Sequence, residues 1–253
     1  MSSKNDYSEY DYFARMYNES WGPRYCKRNL PLLEKLLLQN LPDKAQILDV
    51  CCGTGQLVQQ LLTKGYQVTG LDASEAMLGF ARKNAPDAEF ILSDARSFKL
   101  LPTFHGVVST SASLNHFMNL EDLTSVFHSV YAAMLANGVF VVDMNMEEAY
   151  KLNFLNRVED GDVQDDYAWA SRSSYNSQNK TGQINMTLFS LQERENWRRF
   201  DTTSQVRGYS QQEVQSALEK VGFTEISVYD AERDFALPGA LGKTLFVCHK
   251  KNT

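Results

Sequence analysis

Residues 45–57 read AQILDVCCGTGQL. The run AQILDV is short and apolar, and Gly53 and Gly55 close it, which reads as a buried strand ending in a tight turn. LVQQLLTKG (57–65) continues at helical spacing and stops on Gly65. A strand, a glycine turn and a helix in succession leave unpaired N–H groups at the helix start and room for a ligand against the backbone.

The same alternation runs outward from this stretch. Strands are predicted over YQVTGLD (66–72), AEFILSD (88–94), HGVVST (105–110) and VFVVDMN (139–145). Between them lie SEAMLGFARKN, with Ser74 as N-cap, and LEDLTSVFHSVYAAML, with Gly138 as its stop. Apolar strands alternating with helices imply an α/β fold with a doubly wound parallel sheet covered on both faces. SQQEVQSALEKVGF (210–223) is a further helix, capped by Ser210 and ended by Gly222, and EISVYD and KTLFVCH close the chain as two strands.

Two regions depart from the pattern. From about Tyr7 to Asn40 the chain is helical and rich in aromatics, with Pro23 and Pro31 where helices restart and an apolar stripe through Leu32, Leu33, Leu36 and Leu37. From about 157 to 207 it is polar and alternating, with Tyr167, Trp169, Ser171 and Ser173 on one face and a turn at Lys180-Thr181-Gly182. This reads as inserted antiparallel strands. The expectation is one domain over 1–253, with 1–40 as a helical lid and 157–207 as an insert.

The 253 residues carry a net charge of −6, 43% hydrophobic and 22% charged residues, which fits a globular chain and argues against a general nucleic-acid binder. Cys26, Cys51, Cys52 and Cys248 show no zinc-site spacing and read as reduced thiols of a cytoplasmic protein. No signal peptide or bilayer-length apolar run is present, so no membrane partner is expected.

Asp49, Asp72 and Asp94 sit at the ends of three successive strands. Ligands of doubly wound sheets bind outside the carboxyl ends of the strands. Carboxylates there suit a ligand with hydroxyls, an amine and a positive centre. A tight turn, a helix cap and a turn residue are the bland alternatives for each motif alone.

With these segments in view, the chain resembles the class I S-adenosylmethionine-dependent methyltransferases. ILDVCCGTGQL, VTGLDASEAML, AEFILSDARSF, the fourth strand into SLNHF, and LANGVFVVDMN carry the resemblance in order from 47 to 145. It implies a Rossmann-like seven-stranded sheet and S-adenosylmethionine as cofactor. By this likeness Asp49, Gly53 and Gly55 lie under the methionyl part. Asp72 holds the ribose beside Ala73 and Met77, Asp94 and Ala95 meet the adenine edge, and Ser109 to Ala112 face the transferred methyl. Cys51 stands where the family usually has glycine, and slight weakening of binding is expected from it. The finer resemblance is to small-molecule N-methyltransferases acting on amino sugars and glycine.

The expected activity is therefore in-line methyl transfer to an amine or hydroxyl of a small molecule. His116, just beyond the fourth strand, is the candidate general base, with local packing as the alternative; Asn115 is a candidate for orienting the acceptor. Tyr10, Tyr17, Trp21 and Tyr25 make one aromatic face, and Tyr17 and Trp21 are the candidates for a lid over the sulfonium, against simple packing. Tyr167, Trp169, Arg172, Tyr175, Arg198 and Arg199 line either an acceptor pocket or a homodimer face. A nicotinamide-dependent oxidoreductase and a non-catalytic cofactor-binding protein are the rival readings. The loop G-T-G-Q-L-V lacks the third small residue of the dinucleotide fingerprint. S-T-S-A after the fourth strand, in place of N-P-P-Y, argues against nucleobase methylation.

Overall fold

The computed structural model describes residues 9–192 and 195–251, with side chains from Phe13 onward. Tyr7 and the Tyr10 side chain lie outside the described residues. Five strands build the parallel part of the main sheet: β1 (Gln46–Val50), β2 (Gln67–Asp72), β3 (Glu89–Leu92), β4 (Phe104–Ser109) and β5 (Met134–Asn145). Two more, β10 (Phe223–Asp230) and β11 (Lys243–Lys250), complete it in the order β10-β11-β5-β4-β1-β2-β3, with β11 antiparallel to both neighbours. The Rossmann-like seven-stranded sheet implied by the resemblance is present.

Alternation along β1 explains how one short strand serves two cores. Leu48 and Val50 join the core beneath α5 (Leu120–Ala133) and α7 (Gln211–Val221). Ile47 joins the core beneath α2 (Gly22–Leu36) and α3 (Gln56–Thr63). Asp49 shares the face of Ile47 and is 2% exposed, so a carboxyl stands at the strand end where the pattern calls for an apolar residue.

The helix caps follow their expected chemistry. The Ser74 hydroxyl accepts from the Met77 N–H to start α4 (Glu75–Asn84), and Ser210 with Glu213 forms a capping box at α7. Other boundaries differ from the sequence reading. α5 ends at Ala133 rather than near Gly138, because β5 begins at Met134 and carries Asn137 (φ 62°) and Gly138 inside it. Pro31 lies inside α2 instead of starting a helix. The buried stripe Leu32, Leu33, Leu36 and Leu37 anchors that segment strongly enough to tolerate the lost backbone bond.

Between β5 and α7 lie α6 (Glu147–Asn153) and a separate four-stranded antiparallel sheet, ordered β6 (Leu155–Val163), β7 (Tyr167–Asn176), β8 (Thr181–Leu191) and β9 (Trp197–Arg207). Tyr167, Trp169, Ser171 and Ser173 are all buried on its inner face. Arg172 and Arg199 are exposed, and Arg198 lies 4.8 Å from the Phe200 ring centroid. β6 was missed in the sequence because it is mostly exposed and lacks alternation.

The N-terminal segment is α1 (Glu9–Met16), a π-turn over Tyr17–Trp21, and α2. The Gly22 N–H reaches back five residues to the Tyr17 carbonyl, which widens the helix just before Pro23. π-turns inside helices often mark functional sites.

Candidate active site

The loop after β1 is left-handed at Cys51 (φ 61°), Gly53 (φ 56°) and Gly55 (φ 79°). Cys51 therefore occupies a conformation glycine adopts at no steric cost, which explains why the family places glycine there. A Cβ on Gly53 would stand 3.3 Å from the Tyr17 ring, so the N-terminal segment packs closely on the loop there. The Asp72 carboxylate braces the loop: it accepts from the Gly53 N–H and from the Ser74 N–H, each at 2.9 Å.

These elements enclose a crevice of about 330 Å³, partly open to solvent, lined by Tyr17, Tyr25, Asp49, Cys51, Cys52, Gln56, Thr110 and Ser111 among others. Burial holds the Cys51 and Cys52 thiols well above their ordinary pKa, so they are walls rather than nucleophiles.

Among the described residues, no hydrogen bond reaches the Asp49 carboxyl. Burial, and then the charge of Asp72, push its pKa up to about 8. The folded chain thus keeps a proton on Asp49 that an unfolded aspartate loses near pH 4. Apo stability is expected to fall as pH rises from about 4 to about 8, because the folded state binds more protons across that window. A cationic ligand favours the ionised form. Affinity for S-adenosylmethionine should rise roughly tenfold from pH 7 to pH 9 relative to the uncharged-sulfur product, as the ionised fraction of Asp49 grows. Titration calorimetry with both ligands across that range, repeated on Asp49→Asn, checks this: parallel pH curves for the two ligands would refute it.

The aromatic residues of the N-terminal segment divide. Tyr17 lines the crevice, and burial raises the pKa of its phenol. Asn18 ties the N-terminal segment to α3 and α4: its Oδ1 accepts from Gln56 Nε2 (2.9 Å) and Asn84 Nδ2 (2.6 Å). Trp21 turns away to the inserted sheet. Its indole N–H donates to Asp160 at 2.9 Å, alongside Arg24, and its ring meets Trp169 edge-on at 5.6 Å.

Beyond β2, Ala73 is exposed beside Asp72, and Met77 sits in the first turn of α4. Asp94 lies two residues beyond β3, and the Arg96 guanidinium holds its carboxyl below the usual range. Ala95 is 5% exposed and belongs to the core under α5. Ser109 is buried on the face of Val107 with its hydroxyl unpartnered, while Thr110 and Ser111 line the crevice instead.

Beyond β4, Ser111 (φ 66°) and Ala112 (φ 58°) are both left-handed. The buried Asp143 carboxylate holds that shape, accepting from the Ser111 N–H (3.0 Å), the Ala112 N–H (2.6 Å) and Lys243 Nζ (2.9 Å). Sequence reading missed Asp143 and Lys243, which are distant in the chain and meet only because β11 pairs with β5. Asn115 is a strut rather than an acceptor-orienting group. It is fully buried, donates to the carbonyls of Asn145 (2.9 Å) and Arg207 (2.8 Å), and accepts from the Asn145 N–H (2.9 Å). His116 is exposed within a recess whose desolvation lowers its pKa. Its Nδ1 lies 2.9 Å from the Gln205 carbonyl, which can only accept, so Nδ1 carries the proton and Nε2 keeps its lone pair.

The residues present fit an adenosyl sulfonium. An unpaired acidic group, a ring face and a glycine cradle converge on one crevice. Comparisons with known proteins agree. Residues 47–138 match the family model described as a methyltransferase domain. The putative methyltransferase YqeM of Bacillus subtilis is 28% identical over 86% of this chain and 89% of its own length. The dTDP-3-amino-3,4,6-trideoxy-alpha-D-glucopyranose N,N-dimethyltransferase of Streptomyces venezuelae is 34% identical over 43% of this chain and 46% of its own. An S-adenosylmethionine-dependent methyltransferase structure from Clostridium acetobutylicum superposes with a TM-score of 0.78 at 20% identity, covering 96% of this chain and 100% of that one.

The chain carries a methyltransferase domain and is an S-adenosylmethionine-dependent methyltransferase that resembles the class I enzymes; its cofactor is S-adenosylmethionine. Within that class it resembles the amino-sugar N-methyltransferases. The relatives described are methyltransferases, not oxidoreductases. No helix among the described residues is long and apolar enough to cross a membrane.

Proposed function

We propose that this enzyme methylates a small molecule at an amine nitrogen. The observation that carries the reading is how the inserted sheet covers the outer side of the β4 end. Gln205 engages His116, the Arg207 carbonyl takes the Asn115 amide, and Trp169 packs on the lid's Trp21. A polymer needs an open groove there, and this covering suits a small acceptor. The sugar-amine relative supports the amine.

The cofactor, when bound, supplies an electrophilic methyl on a sulfonium. Asp72 would hold the ribose, and Asp49 and the Tyr17 ring would stabilise the positive sulfonium. Ser111, fixed by Asp143, borders the transfer path. His116 Nε2 is the base that takes the proton the methylated nitrogen releases. Holding donor and acceptor in register can contribute roughly 7–11 kcal/mol of the barrier.

The test is methyl transfer from tritium-labelled cofactor to a panel of primary amines, alcohols, carboxylates, oligonucleotides and peptides, with dTDP-3-amino-3,4,6-trideoxyglucose included. Label in small amines is expected. Label confined to alcohols, carboxylates or polymers would overturn the proposal.

A further inference from the structure

Asn29 on α2 is 3% exposed, yet its carboxamide is half used. Nδ2 donates to the Ser111 hydroxyl at 3.2 Å, while Oδ1, equally buried, meets no donor. Turning the amide over would leave the same count, with Ser111 satisfying one end and the other orphaned. A buried polar atom without a partner opposes folding, and such groups call for an explanation.

The surroundings supply one. Tyr25 and Cys26, one turn earlier on α2, line the crevice, and so does Ser111. Asn29 meets the Ser111 hydroxyl just outside the crevice lining, and the Asp143 carboxylate, itself paired with Lys243, holds the Ser111 backbone. The Ser111 hydroxyl meets one end of the amide only. His116 lies five residues further along the same segment.

We propose that Asn29 Oδ1 accepts an N–H of the acceptor amine and thereby selects amines over alcohols. The inference rests on the amine reading above. In the transfer, the nitrogen lone pair forms the N–C bond, and the C–S bond breaks with its electron pair passing to sulfur. The nitrogen becomes positive and gives one proton to His116 Nε2. A primary amine then has a second N–H for Asn29, and that bond strengthens as charge builds on nitrogen, so it favours the transition state. An alcohol has one proton only, which leaves Asn29 unpaired. A secondary amine is in the same position, so Asn29 acts mainly on the first methylation.

Asn29→Leu, similar in size and without the polar end, tests this. The expected result has three parts: an equal or higher melting temperature, S-adenosylhomocysteine affinity within twofold of wild type, and kcat/KM for a primary amine reduced at least tenfold, with secondary amines affected less. Asn29→Ala should show the same kinetic pattern and stands in if the leucine variant does not fold. Wild-type turnover of the primary amine by either variant overturns the proposal. So does a fall in S-adenosylhomocysteine affinity that matches the fall in activity, which would make Asn29 a cofactor contact. If the wild-type enzyme binds S-adenosylhomocysteine but methylates no amine in the panel, the amine reading itself fails, and this proposal fails with it.

Discussion

Asp72→Ala is expected to abolish cofactor binding. Ligand at a hundred times its Kd stabilises a protein by about 2.7 kcal/mol. For a domain of this size each kcal/mol moves Tm by roughly 2–4 °C, so S-adenosylhomocysteine should raise the wild-type Tm by about 5–10 °C. The variant should show no shift. Two ribose hydroxyls bound to one carboxylate contribute about 1.5–3 kcal/mol each, so the loss in affinity is on the order of 10²–10⁴-fold. The same carboxylate also holds the Gly53 N–H, so the cradle loosens along with the ribose contact. Asp72→Asn keeps one acceptor oxygen and should fall between the two. Calorimetric titration of S-adenosylhomocysteine into all three proteins checks the series. A wild-type affinity in Asp72→Ala would remove the ribose from this residue.

The parallel sheet was legible because burial on both faces forces near-continuous apolar strands, and glycine or polar residues mark every turn. Asp49 stood out for the same reason: a carboxyl inside an apolar strand has few structural uses. Boundaries were less legible where two signals competed. Gly138 reads as a helix stop, but the chain leaves α5 five residues earlier, because pairing with β4 and β11 draws 134–145 into the sheet. Pro31 reads as a helix start, but the leucines that follow it are buried tightly enough to carry the helix through. The cluster beyond β4 was the least legible. Asp143, Lys243 and Asn29 come from β5, β11 and α2, and no local pattern reveals that they gather around Ser111. Trp21 shows the limit from the other side. Its spacing from Tyr17 puts both on one helical face, but the partner of each ring is set by the insert, whose docking the spacing does not encode.

His116 carries the second large effect. A general base positioned at the acceptor contributes about 10²–10⁴-fold, so His116→Gln should lower kcat by at least about 10²-fold. Glutamine can still donate to the Gln205 carbonyl, so the recess keeps its shape and Tm should stay close to wild type. What it lacks is the lone pair at Nε2. Cofactor affinity should be unchanged, because His116 stands apart from the crevice lining. The pH profile separates a base from a packing residue. The recess disfavours the imidazolium, so the folded pKa lies below the ordinary value near 6.5. The neutral form therefore dominates at pH 7, and kcat at saturating amine should climb through a pKa below 6.5 and be flat above it. In His116→Gln that limb should disappear. A variant that keeps the limb and the wild-type kcat would return His116 to the role of a side chain docking the inserted sheet on the β4 end, and the proton would then pass to solvent.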